Sequence, residues 1–442
     1  MTPRGGRGHE IAAPVPAPRA TLTRDGRLLF ATRIARLFGY GFLSVVLVLY
    51  LVAIGFGAFE VGAILTLTLV GDAVISLWLT THADRIGRRR VLLAGAGLMT
   101  LAGLVFLLSR DPWVLVLVAT VGVISPSGNE VGPFLAVEQA ALSQTVADRQ
   151  RTRVFGWYNL AGSFATAAGA LAAGLLGQAL QVTGASPLQS YQAIILGYAL
   201  VGVALAILFA AMSPAIEAPV RVDASVATRL GLHRSRGVVT RLAALFSLDA
   251  FAGGFVIQSI VSFWFATRFG MSVGALGTIF FAANILAGVS ALLAARVAAR
   301  IGLVNTMVFT HLPSNVLLIL VPFMPTAPLA VAVLLLRFSI SQMDVPTRQS
   351  YTMAVVDPDE RSAAAGVTGI ARSVGAAVSP SIAAPLMTAA GLGGLPFVIA
   401  GSLKIVYDLL LYRAFRSVRP PEELPPEQVP AENAPPDRHR SA

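Results

Sequence analysis

Apolar runs of about twenty residues recur along this chain, and nothing constrains its fold more. An α-helix rises about 1.5 Å per residue, so about 20 apolar residues cross the ~30 Å hydrocarbon core of a bilayer. No water serves the backbone there, and a crossing segment must satisfy its own N–H and C=O groups, which a helix does. The runs predict helices near residues 28–54, 61–81, 90–109, 113–140, 154–177 and 190–212. Six more follow near 242–266, 273–295, 303–323, 327–355, 363–387 and 394–416. A polar, arginine-rich stretch from Pro214 to Thr240 separates the two sets. The expected fold class is an all-α membrane protein, with twelve transmembrane helices in two pseudo-symmetric six-helix bundles.

The expected division is a disordered cytoplasmic tail over residues 1–27, a first bundle over 28–212, a cytoplasmic linker over 213–241, a second bundle over 242–416 and a disordered cytoplasmic tail over 417–442. Both tails are rich in proline and poor in the apolar residues a core needs. The first apolar segment is too long for a signal-peptide core and more helices follow it, so no cleavage is expected.

Composition excludes several kinds of chemistry. Charged residues are 12% of the chain, about half the usage of a soluble protein. Lys404 is the only lysine and follows Leu403, which excludes a Walker-type nucleotide loop. The absence of cysteine excludes disulfides, thiolate metal sites and thiol nucleophiles. His9, His82, His233, His311 and His439 lack metal-ligand spacing. Gly270-Met271-Ser272-Val273-Gly274 has the nucleophile-elbow spacing but opens a predicted helix instead of following a strand, so it reads as chance. No cofactor, no metal and no enzymatic activity is implied.

Basic residues fix the expected orientation. With both termini cytoplasmic, 25 of the 33 lie on the cytoplasmic side, only Arg110 and Arg268 outside, and six within helices, as the positive-inside rule requires. The net charge of +11 then faces anionic lipid headgroups and is no sign of nucleic-acid binding. The halves also match each other. At an offset of 215, Gly62, Ile64, Arg85, Ile86 and Gly87 meet Gly277, Ile279, Arg300, Ile301 and Gly302. At an offset of 210, Gln139, Val146, Arg151, Gly156, Ala161 and Ser163 meet Gln349, Val356, Arg361, Gly366, Ala371 and Ser373. Such matches are expected of a duplicated transporter architecture.

The connection between helices 2 and 3 reads Thr80-Thr81-His82-Ala83-Asp84-Arg85-Ile86-Gly87-Arg88-Arg89-Arg90. It resembles the helix 2 to 3 signature of the major facilitator superfamily, with Thr80 in place of the usual glycine. The segment Asp357-Pro358-Asp359-Glu360-Arg361 through Gly366 is similar to the acidic, arginine-containing loop the family carries before helix 11. The resemblance covers about residues 28–416. It implies a cytoplasmic gate in which Asp84, with Arg85, Gly87, Arg88 and Arg89, braces against the amino end of helix 11 in one conformational state, with Arg361 beside it; the alternative is that these charges only set topology. It also implies that helices 1, 4, 7 and 10 line a central cavity and that helices 2, 5, 8 and 11 flank it.

Ionised side chains inside a membrane are costly and call for a reason. Twelve stand there: Arg33, Arg36, Asp72, Glu130, Glu138, Asp249, Arg337, Asp344, Arg348, Arg372, Lys404 and Asp408. Ten fall on the lining and flanking helices, and Lys404 and Asp408 make an i, i+4 pair on helix 12. Arg337, Ser341, Asp344 and Arg348 follow a spacing that shares one helical stripe, and Pro346 between the last two loosens the backbone. The stripe serves either substrate and coupling or an internal Asp344–Arg348 pair. Glu138 and Arg348 correspond between the halves and are expected either to meet as a cytoplasmic gate pair or to find partners within each half. Burial disfavours an ionised carboxylate, so Glu130 and Asp72 are candidate proton carriers; Arg36 or Arg372 is the alternative permanent partner of Asp72. Arg33 can snorkel to the interface. Arg36 is expected to point into a wet cavity one turn before Tyr40. Tyr40, Trp157, Tyr158, Phe251, Trp264 and Tyr351 can stack on a flat solute or simply pack, and Asn159 and Gln258 are further polar candidates.

The expected function is a secondary active transporter that moves a small organic solute by alternating access, coupled to protons and in the export direction. Its expected partners are the solute, protons and membrane lipid, and its expected form is a functional monomer in the plasma (inner) membrane. Export rests on the resemblance of the helix 2 to 3 signature to that of export systems; helix 5 has glycines but no proline, so it lacks the antiporter signature. One alternative is an organic-anion or organophosphate carrier that uses Arg36, Arg337, Arg348 and Arg372 as a clamp. Another is a receptor or scaffold that binds without transport.

Overall fold

The computed structural model describes residues 22–146, 148–217, 234–357 and 360–418. Most of the two expected tails and of the linker therefore lies outside the described residues. Helix α1 (Arg24–Ser44) begins within the segment expected as tail, where Thr23 Oγ1 accepts from the Gly26 N–H and caps it. There follow α2 (Leu47–Ala53), α3 (Ala58–Ile86), α4 (Arg88–Leu108), α5 (Pro112–Val121), α6 (Phe134–Thr145), α7 (Asp148–Val182) and α8 (Pro187–Ala210). The second half comprises α9 (Arg236–Gly254), α10 (Gln258–Phe269), α11 (Val273–Ile301), α12 (Leu303–Leu320), α13 (Ala327–Phe338), α14 (Asp344–Ala354), α15 (Arg361–Thr388) and α16 (Leu395–Phe415).

Among the described residues, nine helical segments and the bent pair α1/α2 are long and apolar enough to cross a membrane. The shorter apolar helices α5 and α13, continued by α6 and α14, supply two interrupted crossings. The result is the expected twelve-crossing arrangement of two six-helix halves. Sequence runs read as continuous are broken in a regular way. Crossings 1, 4, 7 and 10 are interrupted, by a 43° bend at Val45–Val46 and by the segments 122–133, 255–257 and 339–343. Each is the first crossing of a set of three.

The local causes are legible. In crossing 4, Pro126 and Pro133 flank Gly128 and Gly132, whose φ values of 73° and 79° suit glycine alone. In crossing 10, Pro346 cannot donate to a preceding turn, so the helix restarts at Asp344 with Pro346 in the first turn, where its missing N–H costs nothing. Such interruptions are tolerated at membrane depth where they face protein or a cavity.

Within the first half, α1 packs on α7 and α8, α4 on α8, and α3 on α5. Within the second, α9 packs on α15 and α16, and α12 on α16 and α14. The halves meet along α3/α15 and α7/α11. The latter contact is so close that a Cβ on Gly277 would lie 2.6 Å from the Ala170 carbonyl oxygen. Hydrogen bonds between the halves join Thr66 to Ser381 (2.6 Å), Gln258 to Ser44 (2.9 Å), Ser262 to the Val45 carbonyl (2.6 Å) and the Ser259 N–H to the Pro126 carbonyl (3.1 Å). These lie between mid-membrane and the distal end, the end away from Arg24 and the α8–α9 connection.

Candidate functional site

The first crossing of the N-terminal half brings two arginines to two glutamates of the fourth. Arg36, wholly buried, donates through both terminal nitrogens to Glu138, at 2.7 and 2.8 Å. It also reaches Glu130 through Nε and Nη2, each at 3.2 Å. Parallel paired bonds of this kind are the strong form of an arginine–carboxylate contact. Glu138 further accepts from Thr32 Oγ1 at 2.8 Å and from the Tyr158 hydroxyl, so it is fully engaged and without exposure. Arg33 does not snorkel. It bonds Glu130, Asn159 Oδ1 (3.2 Å) and the Tyr158 carbonyl (2.8 Å), with its guanidinium 4.4 Å from the centre of the Tyr158 ring. Glu130 keeps 19% of its side-chain surface exposed.

Asp72 has neither of its anticipated arginine partners. It accepts from Ser76 Oγ at 3.0 Å and from the Gly132 N–H, a donor that the interruption of crossing 4 leaves outside any helix. Tyr40 is also spent inside the fold, donating to the Val131 carbonyl at 3.0 Å. Trp264 packs among Phe265, Phe269 and Phe397, whereas Trp157 is exposed.

The C-terminal half repeats the join between first and fourth crossings with the signs exchanged. Arg348 on crossing 10 donates to Asp249 on crossing 7 at 3.0 Å and lies 3.3 Å from Asp344. Glu138 and Arg348 therefore each pair within their own half, and no ion pair joins them. The expected stripe on helix 10 is interrupted: Arg337 ends α13, while Asp344 and Arg348 belong to α14. The Lys404–Asp408 pair does not form either. Crossing 12 packs on crossings 7 and 9, so Lys404 bonds Asp249 (2.5 Å) and Asp408 bonds His311 (2.8 Å) and Asn315 (2.9 Å). His311 and Asn315 are not among the sequence-derived candidates, where histidine counts only as a metal ligand. Their i, i+4 spacing on an apolar helix was the available signal.

Two cations remain. Among the described residues, the side chains of Arg372 and Arg337 form no hydrogen bond or ion pair. Arg337 Nε and Ser341 Oγ are buried without partners, and the Arg337 guanidinium lies 5.0 Å from the Phe338 ring centre.

At the helix 2 to 3 connection, Gly87 takes φ 103° and ends α3. The Asp84 side chain lies outside the described residues, and Arg85 and Arg361 are exposed. Arg88 Nη1 donates to the Ile216 carbonyl (3.3 Å) and Arg89 to the Ala210 carbonyl, both within the first half. Glu217, unremarked in the sequence, caps α4 by accepting from the backbone N–H groups of Arg88 (2.6 Å) and Arg89 (3.2 Å).

The sequence profile described as Major Facilitator Superfamily matches residues 29–380 and 255–439. The chain belongs to the major facilitator superfamily. It is 32% identical over 426 residues to the "Uncharacterized membrane protein YJR124C" of Saccharomyces cerevisiae, covering 90% of this chain and 95% of that one. Among solved structures the fold is similar to the nucleoside transporter NupG, with TM-score 0.70, 14% identity, and 89% and 100% of the two chains covered. A D-xylose–proton symporter matches with TM-score 0.68, 15% identity, and coverage of 88% and 97%. As a member of the superfamily the chain is a multi-pass integral membrane protein and a secondary transporter for a small molecule, not an enzyme. The four interrupted crossings are those that the superfamily resemblance assigned to the cavity.

Proposed function

We propose that this transporter moves a small organic solute by alternating access, coupled to protons and in the export direction, as a monomer in the plasma (inner) membrane. Asp72 carries the reading. Among the described residues it is the one intramembrane carboxylate of the N-terminal half without a cation partner, since Glu130 and Glu138 are bound to Arg33 and Arg36. Its contacts, one backbone N–H and one hydroxyl, serve a carboxylate and release a carboxylic acid at little cost, which is what a reversible proton site requires. Glu130, with 19% of its side-chain surface exposed, is the partly open carboxylate of the same half.

The arginine-rich end is cytoplasmic, termini included. The cross-half bonds then seal the extracellular side, and the conformation faces inward. Asp84, Arg85, Gly87, Arg88, Arg89 and Arg361 serve the opposite closure, at the cytoplasmic end. Export follows the likeness of the helix 2 to 3 signature to that of export systems.

The test is proton movement in proteoliposomes loaded with a pH dye, scanning solutes across wild type, Asp72→Asn and Glu130→Gln. A solute that drives proton flux in the wild type but not in Asp72→Asn, with its binding intact, upholds the reading. Solute movement without proton flux in any variant overturns the coupling.

A further inference from the structure

The twelve intramembrane charges balance at six of each sign, but the halves do not. The N-terminal half holds two arginines against Asp72, Glu130 and Glu138. The C-terminal half holds Arg337, Arg348, Arg372 and Lys404 against Asp249, Asp344 and Asp408. Its three carboxylates are already engaged: Asp249 by Arg348 and Lys404, Asp344 by Arg348, Asp408 by His311 and Asn315. Arg337 stands in the field of Asp249 and Asp344, and Arg372 in that of Arg348 as well as those two carboxylates; neither arginine bonds either carboxylate. The surplus positive charge of this half therefore sits on two guanidinium groups.

Both reach the middle of the membrane. Arg337 is the eleventh residue of α13 from its distal end and Arg372 the twelfth of α15 from the other, so each lies about 16 Å along its helix. Arg372 shares a stripe with Ala365 and Gly369, both exposed, and with Ala383 and Met387, both buried. A different stripe, Ile370, Val374, Val378 and Ile382, is apolar and exposed along the whole helix, and faces lipid. A stripe of small residues that is open over its first half and covered over its second is the wall of a cleft that closes toward the distal end. Arg372 stands where it closes. Arg337 Nε and Ser341 Oγ, one turn apart at the break in crossing 10, are buried donors with nothing to bind.

We infer that the solute is a small organic oxyanion, a carboxylate or phosphate, whose charged group is held by Arg372 and Arg337 with Ser341 beside them. This rests on the transport reading and narrows its substrate to one class. Arg36 and Arg348, the other arginines of an anticipated clamp, are committed to carboxylates and serve as its frame. Guanidinium groups suit the task because their planar fork matches an oxyanion with two parallel bonds.

The experiment measures binding to the purified full-length protein in detergent by thermal unfolding. Benzoate, phenyl phosphate, succinate and glycerol 3-phosphate are each compared with an uncharged or cationic counterpart: benzamide, benzylamine, succinamide and glycerol. At least one oxyanion is expected to bind about tenfold or more tightly than its counterpart, and Arg372→Gln and Arg337→Gln each to weaken it about tenfold. Arg110→Gln, an exposed loop charge at the distal end, leaves it unchanged. Where a glutamine variant is not monodisperse, Arg372→Lys and Arg337→Lys keep the charge, lose the fork and weaken binding less. If no oxyanion outbinds its counterpart, or if the preference survives both glutamine variants, the inference is overturned. Oxyanion binding without proton flux would remove the coupling and leave this site; proton flux driven by an uncharged solute, unaffected by Arg372→Gln, would remove the site and leave the coupling.

Discussion

Glu138 receives both terminal nitrogens of Arg36, at 2.7 and 2.8 Å, and the second half builds the same join in reverse, with Asp249 on its first crossing accepting from Arg348 on its fourth. The architecture preserved the need for a charged tie between first and fourth crossings and left its sign free. A tie inside each half braces that half by itself, as the proposed alternating access requires.

Glu138→Gln leaves Arg36 with less compensation in a fully buried setting. Breaking one partner of such a pair costs about 3 kcal/mol or more, whereas replacing both by apolar residues costs far less. Unfolding of Glu138→Gln, Arg36→Leu and the Arg36→Leu/Glu138→Leu double variant in micelles is expected to place the double variant above either single one.

Asp72→Asn behaves differently. An amide oxygen still accepts from Gly132 and Ser76, so stability changes by less than about 1 kcal/mol. On the proposed proton coupling, solute exchange without a proton gradient is expected to persist, and uptake or efflux driven by the gradient to disappear. Parallel exchange and gradient-driven assays check this.

Lys404→Met removes the 2.5 Å bond to Asp249 but leaves Arg348 in place. A loss of about 2 kcal/mol is expected, the size of one hydrogen bond to a charged group. Transport per folded molecule stays near wild type, because crossing 12 only braces the pair. Activity normalised to monodisperse protein distinguishes bracing from a direct part in transport.

Gly277→Ala puts a methyl group against the Ala170 carbonyl and forces α7 and α11 apart at their distal ends. The chain has no cysteine, so Gln178→Cys, at this seam, is a background-free reporter. A membrane-impermeant thiol reagent applied from the distal side is expected to label Gln178→Cys several-fold faster when Gly277→Ala is also present.

The crossings are legible because runs of apolar residues act locally; their interruptions are not, since each of the four broken crossings reads as one continuous run. Pro133 and Pro346 stand at two of the breaks, but crossings 1 and 7 break at 45–46 and 255–257 with no proline there. Of the partners, the Asp344–Arg348 pair along one helix was legible, and most of those between helices were not. Periodicity says which face of a helix is polar, but not which helix meets that face. Lys404 and Asp408 are spaced to pair along crossing 12, yet the packing of that crossing against crossings 7 and 9 gives each a partner elsewhere. Arg33 near a helix end looked free to reach the interface, but the Tyr158 carbonyl and Asn159 on α7 stand close enough to hold it. Crossing 10 reads as one stripe in sequence because a proline inside an apolar run marks a hinge and the first turn of a new helix equally well.

The hydrogen bonds that join the two halves, among the described residues, involve hydroxyls, an amide and backbone groups, and the α7/α11 seam is glycine against backbone. Such contacts act over one or two ångströms and carry no net charge, so dissolved ions do not screen them. The distal seal therefore keeps its strength from dilute medium to brine. It also lets go abruptly, because a small separation removes all of its bonds together and leaves no long-range attraction to draw the halves back.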